Sequence, residues 1–390
     1  LGKHYRALNR WEEVAGVYER QLKLTTEKTR RLEILLLRAR VLSDHVGAPD
    51  RAIKVYEEVL EIEPGHAGAL ETVAMLREQA GDAAAALKAI EALAEKAATP
   101  RDRGEHYVRA AKMLESRGDL DGAVSRYKMA LDANPKESTA SNALRSIYAE
   151  RGEAGAAIEL LLKEIEFADV ASTKARLAAE IAKLAREKLK DNARAETAAK
   201  EALRYDASQI DALVLLGDLA YEAERFIEAA HHLESVVTRI DVLPKEQGGR
   251  SLRRYVDSLA RTGSSEKALA HCDKLLELSP GDLDSMQAAA KVFFDHGDPK
   301  RALQLYTAIL EEAGSRLVGS DRSTVLFRHG EAARRAGDAV TALKSLSEAA
   351  DMDPSAPEPL AAIAKVHETK GDWEEVIRIK SRRLDVASGD

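Results

Sequence analysis

The segment 104–137 carries two apolar stripes at helical spacing, and this pattern constrains the fold more than any other feature. Tyr107, Ala110, Ala111 and Leu114 form the first stripe, and Ala123, Tyr127, Ala130 and Leu131 form the second. Between them, Gly118 can adopt the left-handed conformation that ends a helix, and Asp119 can cap the next one. Pro135 stops the second helix. The segment therefore predicts a hairpin of two helices, which needs similar neighbours to bury its apolar faces.

Such neighbours run along the whole chain. Ten full units can be laid down, starting at residues 33, 67, 104, 138, 176, 210, 249, 283, 323 and 357. Position 20 of these units is small, because two helices must approach closely there: Ala52, Ala86, Ala123, Ala157, Ala195, Ala229, Ala268, Ala302, Ala342 and Val376. Position 15, where the first helix should end, is glycine in eight units: Gly47, Gly81, Gly118, Gly152, Gly263, Gly297, Gly337 and Gly371. Position 24 carries Tyr56, Tyr127, Leu161, Leu233, Tyr306 and Leu346.

These residues resemble the tetratricopeptide repeat, a helix pair of about 34 residues. The resemblance covers essentially the whole chain and implies an all-α fold, a right-handed solenoid of helix-turn-helix repeats. We therefore expect one array over residues 1–390, with a partial repeat at 1–32. The motif RWEEV at 10–14 returns as DWEEV at 372–376. The chain also begins inside a first helix, so we expect it to be a segment of a longer protein.

Every second junction exceeds the regular spacing, by about three to six residues. Since about four residues make one helical turn, the second helix of alternate units could be a turn longer. Alternatively, the loop to the next unit could be longer. Strict alternation indicates duplication of a two-repeat block. We expect the extra segments, near 99–103, 172–175, 244–248 and 317–322, to lie along one edge of the solenoid.

Composition and motifs argue against several classes of protein. The net charge of −7 gives no basic signature for nucleic acid. No apolar run approaches the roughly 20 residues of a membrane span. The single cysteine leaves no internal disulfide framework and fits a reducing compartment, so we expect a cytoplasmic location. The sequence contains no GxxxxGK[ST], HExxH, CxxC or GxSxG motif.

The histidines and the cysteine have structural interpretations. Cys272 falls at position 24 and is expected to be a small buried hydrophobe. His329 falls at position 7, an inward site, and is expected in the core. His231 and His232 are adjacent on a helix, so they point about 100° apart and cannot chelate one metal together. We therefore expect no enzyme, no cofactor and no metal site.

The family resemblance places a binding groove on the concave face, where positions 2, 5, 9 and 12 of the first helices tend to point. In the later units, these and adjacent positions form the predicted site: Arg250, Arg253, Arg254, Arg261, Lys291, Phe294, Phe327, Arg328, Arg334 and Arg335. Arginine can hold a carboxylate with two N–H groups, and phenylalanine supplies apolar contact area. The groove thus suits acidic peptide segments of partner proteins. The alternative is that these are solvated charges without a ligand.

The resemblance implies a non-catalytic scaffold that binds partner proteins in the groove. The Lys and Asn pair of chaperone-tail binders and the Asn ladder of glycosyltransferase arrays are both missing, so neither function carries over. The Ala/Arg/Gly-rich composition is similar to that of long repeat proteins of bacterial surface and motility machines. Two other functions stay open: a structural spacer or self-assembly arm that associates through open solenoid ends, and a targeting arm for an enzyme elsewhere in the parent chain.

Overall fold

The computed structural model describes residues 2–314 and 317–388, which contain helices and no β-strand. The chain forms two compact units, Leu1–Lys190 and Asp191–Asp390. The boundary falls in the turn inside the repeat predicted at 176. Each unit is an α-solenoid in which consecutive helices pack on one another. The predicted all-α class is confirmed, whereas a single array running through both units stays a prediction.

In the numbering used below, odd-numbered helices are the first helices of the repeats and even-numbered helices are the second. The helices of unit 1 are α1 (Gly2–Ala7), α2 (Trp11–Leu24), α3 (Lys28–Val41), α4 (Pro49–Ile62), α5 (Ala67–Gln79), α6 (Ala83–Lys96), α7 (Pro100–Ser116), α8 (Leu120–Ala133), α9 (Ser138–Arg151), α10 (Ala154–Phe167) and α11 (Ala171–Glu187). A π-helical segment, Leu42–Val46, continues α3.

Unit 2 follows the same alternation. Its helices are α12 (Asn192–Tyr205), α13 (Ile210–Glu222), α14 (Phe226–Val237), α15 (Lys245–Arg261), α16 (Ser265–Leu278), α17 (Leu283–Asp295), α18 (Pro299–Ala313), α19 (Gly319–Ala336), α20 (Ala339–Met352), α21 (Pro357–Lys370) and α22 (Trp373–Ser388). A 3₁₀ turn, Ile240–Val242, precedes α15. The closest contacts between helices two apart join first helices: α13 with α15, α15 with α17, and α19 with α21. The first helices of unit 2 therefore share one face.

The predicted helix ends are confirmed. All eight glycines at position 15 have φ between 69° and 91°, a conformation that residues with a Cβ rarely adopt. After Gly118, an Asp119 carboxylate oxygen accepts a hydrogen bond from the Gly122 N–H at 2.9 Å. This cap satisfies one of the free N–H groups at the start of α8. The α8 helix then ends at Ala133, directly before Asn134 and Pro135.

The small residue at position 20 is buried in every repeat, at 6% exposure or less. The close approach of the paired helices is clearest at Gly330 in α19, which faces α20. A Cβ on Gly330 would lie 2.6 Å from Leu346 Cγ and 3.2 Å from the Ala342 carbonyl oxygen. The tyrosines and leucines at position 24 are buried, and so is Cys272, whereas Lys380 at this position of the last repeat is exposed. The two helices of a repeat can therefore pack closely, because small side chains allow their backbones to approach each other.

The extra residues of alternate repeats form neither of the two structures expected from the sequence. They add a first turn to the first helix: α7 has 17 residues, whereas α5 has 13. In unit 2, α15 and α19 have 17 and 18 residues, whereas α17 has 13. The expectation of longer second helices or longer loops was therefore wrong, because the added residues continue an α-helix backwards. Whether these turns follow one edge stays a prediction.

A small residue lets each lengthened helix pass the end of its partner. A Cβ on Gly249 would lie 2.2 Å from Ser279 Oγ, and Ser323 Oγ donates to the Ala349 carbonyl at 3.2 Å. Gly104 in α7 packs on Asn134 in the same way. In α11 the corresponding buried residue is Ala175, one before the predicted start at 176. The turn between α11 and α12 has four residues, 188–191, whereas the turn between α7 and α8 has three, 117–119.

The repeat at 138 has an unusually polar interface between its helices. Position 8 is glycine at Gly330 but Arg145 here, and α9 packs less closely on α10 than α7 does on α8 or α19 on α20. Ser141 Oγ donates to the Glu164 carboxylate, and Arg145 lies 3.9 Å from the same carboxylate. Arg145 also pairs with Glu180 at 3.3 Å. These polar contacts replace apolar burial, which makes this the least typical repeat of unit 1.

We expect Ala302→Leu to destabilise unit 2, because the added side chain must enter the closely packed interface between α17 and α18. The cost should be about 1–3 kcal/mol, measured by urea unfolding. The matched control is Gln304→Leu, an exposed position on the same helix, which should change stability little. An unchanged midpoint for Ala302→Leu would mean that position 20 is misplaced.

Candidate functional site

The first helices of unit 2 line a pocket of about 430 Å³, here called the unit 2 pocket. Its lining residues are Tyr221, Arg253, Arg254, Asp257, Arg261, Asp284, Gln287, Ala288, Lys291, Thr324, Val325 and Arg328, with Tyr306 from the second helix α18. The pocket brings together half of the predicted site, Arg253, Arg254, Arg261, Lys291 and Arg328. That they bind a ligand stays a prediction.

Arg254 is held by acidic residues of the preceding first helix. Its guanidinium lies 2.9 Å from an Asp218 carboxylate oxygen and 3.0 Å from a Glu222 carboxylate oxygen. It also lies 5.2 Å from the centre of the Tyr221 ring. Asp218 is only 4% exposed, so its charge depends on this arginine for compensation. Arg254 therefore joins α13 to α15 and contributes little net charge to the pocket.

Arg261 is also paired inside the protein. Its Nε donates to the Asp257 carboxylate at 2.7 Å, and this hydrogen bond raises the pKa of Arg261. The same Asp257 oxygen accepts a hydrogen bond from the Tyr221 hydroxyl at 2.7 Å. Burial, together with that bond, raises the pKa of Tyr221 to about 12. Arg253 pairs with the Asp284 carboxylate. Three of the five cations are therefore already neutralised.

Lys291 and Arg328 have no carboxylate partner within residues 2–314 and 317–388. Arg328 lies 6.0 Å from the centre of the Phe327 ring. Tyr306 reaches the same pocket from α18 and is 4% exposed, yet its hydroxyl has no hydrogen-bond partner in the described part of the chain. Burial raises the pKa of Tyr306 to about 12. Two unmatched cations and a free hydroxyl thus meet in one place.

Comparison among the lengthened first helices shows why Arg328 is unmatched. Each of these helices has a small buried residue near its start: Gly104, Ala175, Gly249 and Ser323. The residue five positions later is Arg109 in α7, Glu180 in α11, Arg254 in α15 and Arg328 in α19. Arg109 pairs with Glu71 at 2.6 Å and Glu78 at 3.1 Å, and Glu180 pairs with Arg145. Each partner lies on the preceding first helix, as Asp218 does for Arg254. Before Arg328, the position equivalent to Asp218 is Lys291, a residue of the same sign. The position equivalent to Glu222 is Asp295, which is exposed and forms no ion pair with Arg328 in the described part of the chain.

The structure corrects the predicted site at its outer members. Phe294 is only 3% exposed, because the Arg335 guanidinium covers its ring at 3.6 Å, so it offers no apolar contact surface. Arg334 is held by both Glu331 carboxylate oxygens, at 2.8 and 3.0 Å. Phe327 is partly buried and lies outside the pocket lining.

Arg250 also lies outside the unit 2 pocket. It lines a neighbouring pocket of about 500 Å³ together with Lys245 and Arg253. The Arg250 guanidinium lies 3.8 Å from the Asp218 carboxylate. These pairings were not predicted from the sequence. The Asp257–Arg261 pair could have been found from its four-residue spacing on a helix, whereas the Asp218–Arg254 pair depends on how successive helices align.

The reactive side chains have structural roles. Burial raises the pKa of the Cys272 thiol to about 12, as expected of a core residue. His329 is buried as predicted and lies 2.8 Å from Ser345 Oγ and 3.1 Å from Thr307 Oγ1. Within the described residues, no three His, Cys, Asp or Glu side chains are grouped to hold a metal ion. No described helix is both long and apolar enough to cross a membrane.

A tetratricopeptide repeat model matches residues 108–171 and 288–357, and a second such model matches residues 1–32. The chain contains tetratricopeptide repeats. Such repeats generally form non-catalytic scaffolds for protein–protein interaction. No curated protein matches the chain in sequence.

Three solved structures are among those similar to this chain. YrrB, a tetratricopeptide repeat protein with an unusual peptide-binding site, is 20% identical, with a TM-score of 0.42 over 48% of this chain and 91% of that one. MamA MSR-1 is 20% identical, with a TM-score of 0.39 over 44% and 92%. Naa15/Naa10 bound to HypK-THB is 15% identical, with a TM-score of 0.40 over 100% of this tetratricopeptide repeat protein and 63% of that chain.

We expect His329 to make stability depend on pH. Burial lowers its pKa in the folded protein below the unfolded value of about 6.5, so the unfolded chain binds more protons between these two values. Its contribution is therefore present above about pH 6.5 and is lost as pH falls towards the folded pKa. The stability difference between wild type and His329→Gln, measured by urea unfolding, should shrink from about pH 7.5 to about pH 5. The control is the exposed His296→Gln; a constant difference for His329→Gln would contradict this origin.

Proposed function

We propose that this tetratricopeptide repeat protein is a non-catalytic scaffold that binds acidic segments of partner proteins on the first helices of unit 2. The observation that carries the proposal is the unit 2 pocket, where Lys291 and Arg328 have no acidic partner. Fewer of the predicted site residues are therefore available to a ligand, because Arg253, Arg254 and Arg261 are neutralised within the protein. Binding of an anionic side chain would compensate the two remaining charges.

The position of the pocket also supports binding. Apart from Tyr306, its residues come from α13, α15, α17 and α19, and the first helices of this unit share one face. A partner segment lying across these helices would contact several repeats at once. An extended segment suits such a surface, because its side chains can reach successive helices. The bacterial surface or motility assembly and the cytoplasmic location expected from the sequence are finer proposals that rest on composition alone.

We expect Lys291→Glu with Arg328→Glu to weaken binding of a fluorescein-labelled peptide rich in glutamate by at least about ten-fold in fluorescence anisotropy. Both substitutions turn attraction into repulsion, and wild-type binding should weaken as salt rises. The matched control is Lys300→Glu with Lys344→Glu, which makes the same charge change at exposed positions on second helices. Equal binding by wild type and the pocket variant, with unchanged circular dichroism, would reject the proposal.

Self-assembly is a second candidate function, favoured by the exposed face of α22. Trp373 is 63% exposed and Ile377 is 68% exposed on this helix. The corresponding Trp11 in the related motif near the start of the chain is stacked on His45, with ring centres 3.8 Å apart. A first helix packed on α22 would cover Trp373 in the same way. A spacer or targeting arm that associates end to end would use this face.

We expect light scattering to show a molecular mass that rises with protein concentration if α22 mediates association. Ile377→Glu should then lower the mass to that of the monomer, because it places a charge in the apolar face. Ile227→Glu, at an equally exposed position of α14, is the matched control. A monomer at every concentration would exclude this candidate and leave the groove proposal untouched.

A further inference from the structure

We propose that the unit 2 pocket holds a dianionic phosphoryl group carried by a phosphorylated side chain of the partner protein. This inference rests on the proposed function and adds the chemistry of the group that is bound. Its components are Lys291 from α17, Tyr306 from α18 and Arg328 from α19, three consecutive helices that line the same pocket.

The charge of the pocket favours a dianion. Pairing Arg253 with Asp284, Arg254 with Asp218, and Arg261 with Asp257 leaves two positive charges without a partner. A carboxylate would neutralise only one of them. A phosphoryl monoester carries about −1.5 to −2 at neutral pH, which matches both.

The hydrogen-bond donors favour a group with three oxygens. The Tyr306 hydroxyl is protonated at neutral pH, since its pKa is about 12, and it has no partner in the described part of the chain. This hydroxyl opens into the pocket, where a ligand that accepts a hydrogen bond from it would take the place of water. Lys291 offers three N–H groups and Arg328 five. These donors exceed what the two oxygens of a carboxylate need, whereas a phosphoryl group presents three strong acceptors.

The repeat pattern indicates that one of the two acids that hold Arg254 is missing at this site, whereas the equivalent of Glu222 is Asp295. Asp218 and Lys291 hold equivalent positions in their repeats, and Asp218 neutralises Arg254. At Lys291 an acid has been replaced by a second cation beside Arg328. Two like charges at one pocket are unfavourable without an anion between them. Asp257 and Asp284 also line the pocket, but each is bound by an arginine.

The test compares three probes on the full chain by isothermal titration calorimetry: the capped peptide acetyl-Gly-phosphoserine-Gly-amide, the matched glutamate peptide, and inorganic phosphate. We expect the phosphoserine peptide to bind at least about ten-fold more tightly than the glutamate peptide. Equal affinity of the two peptides would overturn the phosphoryl assignment. Inorganic phosphate binding as tightly as the phosphoserine peptide would overturn the assignment to a partner side chain.

Two variants test the residues. Lys291→Asp recreates the arrangement of Asp218 with Arg254, so it should raise the melting temperature of the free protein and lower affinity for the phosphoserine peptide by at least about ten-fold. Tyr306→Phe keeps the buried ring and should lower affinity by roughly three- to ten-fold with unchanged circular dichroism. Lys300→Asp, at an exposed position of α18, is the matched control and should bind normally. Normal binding by Lys291→Asp would overturn the site.

The outcomes separate this inference from the proposed function. If the glutamate-rich peptide binds and the pocket variant loses it, while phosphoserine has no advantage over glutamate, only the phosphoryl assignment fails. If neither the glutamate-rich peptide nor the phosphoserine peptide binds the wild-type chain, both proposals fail.

Discussion

Close approach of two helix backbones at a small side chain is the constraint on which both units depend. At Gly330 no room exists even for a methyl group beside Leu346 and the Ala342 carbonyl. Where position 8 carries Arg145 instead, a polar cluster with Ser141 and Glu164 replaces the apolar contact and the helices pack less closely. Nesting in the remaining repeats sets the spacing of the first helices, and this spacing decides which charges on successive first helices can meet.

Several charged side chains on the first helices therefore form ion pairs with the first helix of a neighbouring repeat. Arg109 reaches Glu71 and Glu78, and Arg254 reaches Asp218 and Glu222, in both cases on the preceding first helix. The Arg109 pairs are partly exposed and each contributes modestly to stability, whereas Asp218 is buried and depends on Arg254 to compensate its charge. These ion pairs also neutralise both arginines. Lys291 and Arg328 differ from these paired arginines because they have no carboxylate partner in the described part of the chain.

The repeat register, the helix ends and the buried small positions could be predicted from the sequence, because they depend on residues close together in one hairpin. Gly118 and Ala302 are examples, and both lie where they were expected. The candidate site was predicted only in outline. Whether Arg254 is free depends on Asp218, one repeat away, and Phe294 was misjudged because Arg335 covers it from the next repeat. The location of the extra residues was also missed, because the length of a junction does not distinguish a longer loop from an earlier helix start.

The alternation of short and lengthened first helices has a consequence for how this chain can be cut or extended. A short first helix such as α17 lies between the lengthened α15 and α19, so the smallest segment that repeats without changing its neighbours is two helix pairs. Excising a single helix pair would bring two lengthened helices, or two short ones, into succession. Truncation, grafting or consensus redesign should therefore treat four helices as the building block, with joints placed where identical helix starts recur.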